Sequence, residues 1–220
     1  MIRIHPLSRE QLDSAVERSE VVERDGHGIK VLRLQDGRYL KYFRRKRYFN
    51  RELLSPAAVR FARHARQLER LRIPTLEVES LHRIIGEPHT VAVYRPMPGD
   101  TLRALLAQDR ADTQTLYRVG VFLARLHRQG VFFRSVHPGN IVVDGLRIGL
   151  IDLLDMKVRP WSMSRWARRR NWVHFLRCEE DRPHLRPELI DALLFGYRDA
   201  ADLPFNEVRE VADRIRDYLF

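Results

Sequence analysis

Phosphoryl transfer asks little covalent chemistry of a protein. Phosphates and a metal are held in line with an acceptor while the growing charge is neutralised. Side chains suited to that work are a strand lysine for phosphate, an asparagine and an aspartate for Mg²⁺, and a loop carboxylate that orients the acceptor hydroxyl. The 220-residue sequence holds candidates in that order. Lys41 stands in the alternating stretch "GRYLKYF", Asn140 closes "FRSVHPGN", and Asp152 follows in "GLIDLLD". Where the loop carboxylate is expected stands Ser135, with His137 close behind it. Gly26 and Gly28 in "DGHG" permit a close backbone approach to phosphate, or a plain hairpin turn. A bland reading stands beside each of the others. Pro138-Gly139-Asn140 can be only a turn, Asp152 a strand-end cap, and Lys41 a solvent-facing lysine on an amphipathic strand.

The elements that must position these residues are legible in the periodicity. "SEVVERDG", "HGIKVLRLQ" and "GRYLKYF" alternate as three short strands, with Gln35-Asp36-Gly37 as the tight turn between the last two. Asn50 can cap a short helix. Ser55-Pro56 offers a second cap, with Pro at the first helical position of "AAVRFARHARQLERL". Strand-like pieces return in "PTLEVESL", "HRII" and "HTVAVYRP", and end at "RPMPGD", a compositional hinge. The hinge predicts a β-rich part over residues 1–95 and a mainly helical part over 96–220. In the second part Asp112 caps a helix with Leu116, Val119, Leu123 and Leu126 on one face, and Gly130 ends it. "VFF" leads into the loop, and "IVVD" and "RIGLID", joined at Asp144-Gly145, separate Asn140 from Asp152 as a hairpin. A last helix aligns Val208, Val211, Ile215 and Leu219. The fold class is α+β.

Forty Lys and Arg against 29 Asp and Glu give a formal charge of +11, so the natural partners are polyanions. The charge gathers in "KYFRRKR", Lys41 to Arg47, and in "RPWSMSRWARRRNW", residues 159–172, where arginines alternate with three tryptophans. Such a segment fits nucleic acid, an anionic lipid surface, or simply a solvated amphipathic helix with buried Trp. The single cysteine, Cys178, excludes an internal disulfide, and the opening "MIRIHPLSREQLD" lacks the apolar core of a secretory signal. No apolar run approaches the roughly 20 residues that cross a bilayer. The expectation is a cytoplasmic chain whose membrane contact is peripheral.

A β-rich lobe with one helix, a linker, then a helical lobe bearing a loop and a hairpin resembles the bilobal protein-kinase fold. Arg134, Pro138 and Asn140 fall on matching positions of its His-Arg-Asp-type loop, and "HPGN" is the form common in small-molecule and sugar kinases of that superfamily. More specifically, the chain resembles the bacterial lipopolysaccharide core heptose and Kdo kinases and their toluene-tolerance relatives. The resemblance runs through "DGRYLKYFRRKR", "LERLRIPTLEV", "YRPMPGDTL", "FLARLHRQGVFFRSVHPGNIVV", "LIDLLDMKVRP" and "SRWARRRNWVHFLR". It implies ATP and Mg²⁺ as cofactors, Lys41 on the nucleotide phosphates, Asn140 and Asp152 as metal ligands, and Tyr94 to Met97 as the linker against adenine. It further implies a lipid-linked core oligosaccharide as acceptor, at an anionic inner-membrane surface met through residues 159–172, and places lipid ahead of nucleic acid.

Three features depart from the family pattern. Ser135 replaces the loop aspartate, Asn171 lies near where a structural aspartate usually follows "RW", and no glutamate falls cleanly in the long helix to pair with Lys41. Glu52 comes before that helix and Glu69 near its end. A serine hydroxyl is no useful base near neutral pH, and base assistance is worth about 10² to 10⁴-fold. His137 or Asp155 would have to reach the acceptor instead, unless His137 only holds the loop. Two readings follow: a phosphotransferase, or a catalytically silent relative that binds nucleotide or membrane and regulates or scaffolds envelope assembly.

Overall fold

The computed structural model describes residues 3–44 and 55–201, together with 204, 206, 207, 209–211, 213 and 215. The chain divides into two compact units, residues 1–97 and 98–220.

The first unit is built on strands β1 Ile4–Leu7, β2 Glu20–Asp25, β3 Gly28–Arg33, β4 Tyr39–Phe43, β5 Glu77–Ile84 and β6 Thr90–Arg95, with helices α1 Arg9–Glu17 and α2 Ala57–Arg70. The strands form one sheet in the order β1-β5-β6-β4-β3-β2. The β3–β4 turn closes at Gly37, whose φ of 81° suits glycine and whose N–H donates to Leu34 O at 3.0 Å. "PTLEVESL" and "HRII" prove to be one strand, β5, interrupted only by an irregularity between Val78 and Ser80.

Two features differ from expectation. The segment β1–α1 was not legible as structure, yet β1 runs parallel to β5 and Ser8 caps α1 reciprocally with Gln11. Leu12 is the residue of α1 that enters the core, beside Leu32, Leu40, Ile84, Val91 and Val93. Helix α2 starts without a side-chain cap: Pro56 is the cap residue, and Ser55 contributes only its carbonyl, which accepts from Arg60 Nη1 at 2.7 Å. Asn50, Glu52 and the part of the first basic cluster from Arg45 to Arg47 lie outside the described residues.

The second unit contains β7 Asp100–Thr101, α3 Leu102–Ala107, α4 Thr113–Arg128, β8 Val131–Phe133, β9 Ile141–Asp144, β10 Arg147–Leu150, β11 Met156–Val158, α5 Arg165–Leu176 and α6 Pro187–Ala201. Short 3₁₀ segments occupy Pro138–Asn140, Leu153–Asp155 and Glu179–His184. Asp112 caps α4 as expected, its Oδ1 accepting from Thr115 N at 2.8 Å. Gly130 ends the helix with φ 70°. Leu116, Val119, Leu123 and Leu126 are all buried. Helices α4 and α6 approach closely through two glycines. A Cβ on Gly120 would lie 2.0 Å from Leu193 O, and one on Gly196 would lie 1.9 Å from Tyr117 O. In the last helical stretch Val211 and Ile215 are buried, while Val208 and Leu219 lie outside the described residues.

Candidate functional site

The β9–β10 hairpin sets the geometry of the loop. Its ladder places Leu150 opposite Ile141. One rung further, Ile151 N donates to Asn140 O at 3.0 Å, so Asn140 and Asp152 leave the hairpin at the same open end. The Asn140 side chain is buried, and its Nδ2 donates to Ser135 O at 2.9 Å. A carbonyl can only accept, so this bond fixes the amide orientation and leaves Oδ1 to accept or to ligate. Asp152 adopts a left-handed backbone, φ 54° and ψ 57°. Arg72 and Asp109, the other non-glycine residues of positive φ among the described residues, sit just past helix ends, where that conformation is routine. At Asp152 it instead turns the chain sharply out of β10, a kind of backbone strain that clusters at functional sites. An amide oxygen and a carboxylate at one hairpin end are hard oxygen donors of the kind Mg²⁺ takes.

Beneath the loop lies a buttress absent from the sequence expectations. Arg103 of α3 makes a two-pronged ion pair with the buried Asp181, at 2.7 and 3.0 Å, and its Nη2 stands 3.3 Å from His137 Nδ1. A Cβ on Gly139 would stand 2.9 Å from Arg103 Cζ, so a larger residue there would displace the guanidinium from its place against the loop. Arg103 Nη2 and Asn140 Nδ2, which stands 3.2 Å from His137 Nε2, are both donors, so the neutral His137 ring accepts from one of them at a time. Burial, then the charges of Arg103 and Arg177, hold the His137 pKa below its usual value against the opposing pull of Asp181 and Asp152. His137, Cys178 and Asp181 do bring three potential ligand atoms within 4.8 Å of one another. Both Asp181 oxygens are nevertheless occupied by Arg103, so the cluster serves as a support rather than a cation site.

A second support holds the strand entering the loop. Asn171 of α5, 1% exposed, donates from Nδ2 to Phe133 O at 2.6 Å. That bond orients its Oδ1 to accept from His127 Nε2 at 3.0 Å, and His127 Nδ1 in turn accepts from the Tyr197 hydroxyl at 2.9 Å. Burial pushes the His127 pKa down to about 4, so the ring is neutral at pH 7. The departure at Asn171 thus has a positive role: a carboxylate could not donate to the Phe133 carbonyl.

In the first unit, Lys41 lies on β4 between β3 and β6, opposite Val31 and Ala92. It is 5% exposed, with Nζ 5.6 Å from the centroid of the Phe61 ring of α2. It is therefore not the solvent-facing lysine of the bland reading. Glu69 is exposed in the last turn of α2. Gly26 and Gly28 form the β2–β3 turn, where Gly28 has φ 110° and His27 N donates to Asp25 Oδ1 at 2.9 Å. Tyr94 is packed edge-on against Phe61 with centroids 5.6 Å apart, and Met97, just past β6, is buried.

The Arg/Trp segment is split, which corrects the expectation of one interfacial stretch over 159–172. Trp161 and Trp166 are exposed, but Trp172 is 4% exposed and packs against Phe175 and Tyr197. Helical spacing puts Trp172 on the inward face with Asn171, Phe175 and Leu176. Arg165 and Arg169 pair with Glu210, and Arg168 pairs with Glu207. Of the residues that sequence reasoning passed over, Arg103 and Asp181 are 78 positions apart and left no local signal except the glycine at 139.

No family model and no curated protein matches the chain. Among solved structures the chain is similar to WaaP, determined in complex with acyl carrier protein. Identity is 16%, the match covers 94% of this chain and 92% of that one, and the TM-score is 0.63. It is also similar, at 14% identity and a TM-score of 0.47, to a divergent kinase that lacks the glycine-rich loop and regulates membrane ultrastructure of the Toxoplasma parasitophorous vacuole. That match covers 97% of this chain and 78% of the other. The protein has a kinase-like α+β fold.

Proposed function

We propose that the protein is an ATP- and Mg²⁺-dependent phosphotransferase acting on a hydroxyl of a lipopolysaccharide inner-core sugar, carried on a lipid-linked core oligosaccharide at an anionic membrane surface. The observation that supports this most is the hairpin end at which Asp152 and the oriented Asn140 amide emerge together, with Ser135 held to the same amide at 2.9 Å. A bound Mg²⁺–nucleotide would supply the phosphoryl group and neutralise its charge. Asn140 and Asp152 hold the metal in this reading, and Lys41 holds phosphate. Ser135 stands where the acceptor hydroxyl is oriented, as a hydrogen-bond partner and not as a base. His137 lies between the Arg103 guanidinium and the Asn140 amide, which suits a residue that shapes the loop. Tyr94 to Met97 remain the proposed adenine linker, and Gly26 and Gly28 the turn over phosphate. Among the described residues no helix is long and apolar enough to cross a membrane, which is compatible with peripheral attachment.

Purified protein with Mg²⁺, labelled ATP and core oligosaccharide is expected to transfer label, and Asp152→Ala to abolish both transfer and stabilisation by ATP. Restoring the carboxylate with Ser135→Asp should raise the rate by about 10² to 10⁴-fold. Ser135 also favours a second reading, a pseudokinase that binds nucleotide or membrane and regulates or scaffolds envelope biogenesis. ATP-dependent stabilisation without any transfer, before and after Ser135→Asp, would select it. An absence of both effects would remove the phosphotransferase and the nucleotide-binding pseudokinase, and would leave only a membrane-binding one.

A further inference from the structure

Helix α5 packs on β8 through one face and carries a row of polar residues on another. Arg170, His174 and Arg177 follow one another at helical spacing, and Trp166 extends the row by one turn. The Arg170 guanidinium lies 5.2 Å from the centroid of the Trp166 ring, which steadies it along the helix. The His174 ring meets Phe132 of β8 edge-on, with centroids 6.0 Å apart. Arg134 lies two residues beyond Phe132 and directly before Ser135, its N–H tied to Asp155 O at 3.0 Å. Lys157 stands opposite Phe132 across the β8–β11 ladder, so its side chain leaves that ribbon on the same face.

Arg134, Lys157, Arg170 and Arg177 are all exposed, and among the described residues none of them has an ion pair. Their neighbours Arg165, Arg168 and Arg169 are matched by Glu207 and Glu210. The unmatched cations thus gather where α5 adjoins the loop. Three of them register at His174: after burial, Arg177, Arg170 and Arg134 hold its pKa low, opposed by Asp155. Like charges gathered this way repel until an anion lies among them, and guanidinium forks match the oxygens of phosphate.

We infer that Arg134, Arg170 and Arg177 form a binding site for a phosphate group, set beside Ser135, and that the group it takes is a phosphate ester carried by the acceptor. The assignment to the acceptor rests on the phosphotransferase reading; the anion site does not.

The test follows the His174 imidazole of the full chain by NMR through a pH titration, with and without inorganic phosphate at constant ionic strength, using His174→Gln to assign the signal. Phosphate is expected to raise the His174 midpoint, because a bound anion offsets the surrounding cations. Its affinity should fall by about tenfold or more in Arg170→Ala/Arg177→Ala. Both side chains are exposed, and single Arg177→Ala serves if the double variant folds poorly. An unmoved midpoint, or equal affinity in the variants, overturns the site. Lys41→Met should leave the phosphate response intact; its loss would instead place the anion with the nucleotide-binding residues and overturn the proposal. Glycerol 1-phosphate should bind as phosphate does and be lost in the variants. Binding confined to phosphatidylglycerol vesicles, absent on phosphatidylcholine and lost in the variants, would assign the site to lipid headgroups and overturn the acceptor assignment. A phosphate response that persists where ATP and Mg²⁺ have no effect would defeat the phosphotransferase reading and leave the anion site standing.

Discussion

Asn171 shows how one side chain can govern a loop that it does not belong to. Its amide joins the Phe133 carbonyl to the His127 ring, both buried. Asn171→Ala would leave an acceptor and a donor without partners, each costing about 1 to 3 kcal/mol, so a loss of about 2 to 6 kcal/mol is expected in urea unfolding. His127 gives the same network a pH dependence whose sign follows from its depressed pKa of about 4 against an ordinary 6.5. As pH falls below about 6.5 the unfolded chain takes up the proton first, so stability declines until the folded ring also titrates near 4. The decline reaches about 3 kcal/mol, and above pH 7 the contribution is flat. Unfolding midpoints at pH 7 and pH 5 measure it, and His127→Gln should flatten that limb.

At the scale of elements, the contact of α4 with α6 depends on two glycines in helix interiors, positions where alanine is intrinsically better by about 1 kcal/mol. Gly120→Ala places a methyl 2.0 Å from Leu193 O, and backbone cannot yield as a flexible side chain can. The variant is expected to lose about 1 to 3 kcal/mol in spite of its propensity, seen as a fall in Tm. The sequence carried this signal, since an interior glycine asks for a packing reason. Strands β2, β3 and β4 were legible because alternation and a tight turn are local. Strand β1 was not: four residues that pair in parallel with β5 declare themselves only once β5 is folded. The three-residue β11 is likewise defined by its partner β8.

For the molecule as a whole, the charge of +11 favours anionic partners, and the tryptophans divide into an exposed pair, Trp161 and Trp166, and the buried Trp172. Trp161→Ala/Trp166→Ala should weaken sedimentation with phosphatidylglycerol vesicles and leave Tm nearly unchanged, because both rings are exposed. Trp172→Ala should do the reverse, costing about 3 to 5 kcal/mol of stability by opening a cavity beside Phe175 and Tyr197. Salt should weaken the vesicle binding, as it screens exposed charge.

The sequence by itself determined strands β2 to β4, the cap at Asp112, the hairpin between Asn140 and Asp152, and the serine in place of a carboxylate. All of these depend on residues within a few positions of one another. Only the tertiary structure decided that Lys41 is buried, that Trp172 faces inward, that Arg103 and Asp181 support His137 and Gly139, and that Arg134, Arg170 and Arg177 stand near His174 with no ion pair among the described residues. The physical reason is the same in each case. Burial and ion pairing depend on which distant segments pack together, and no local periodicity records that arginine 103 will meet aspartate 181.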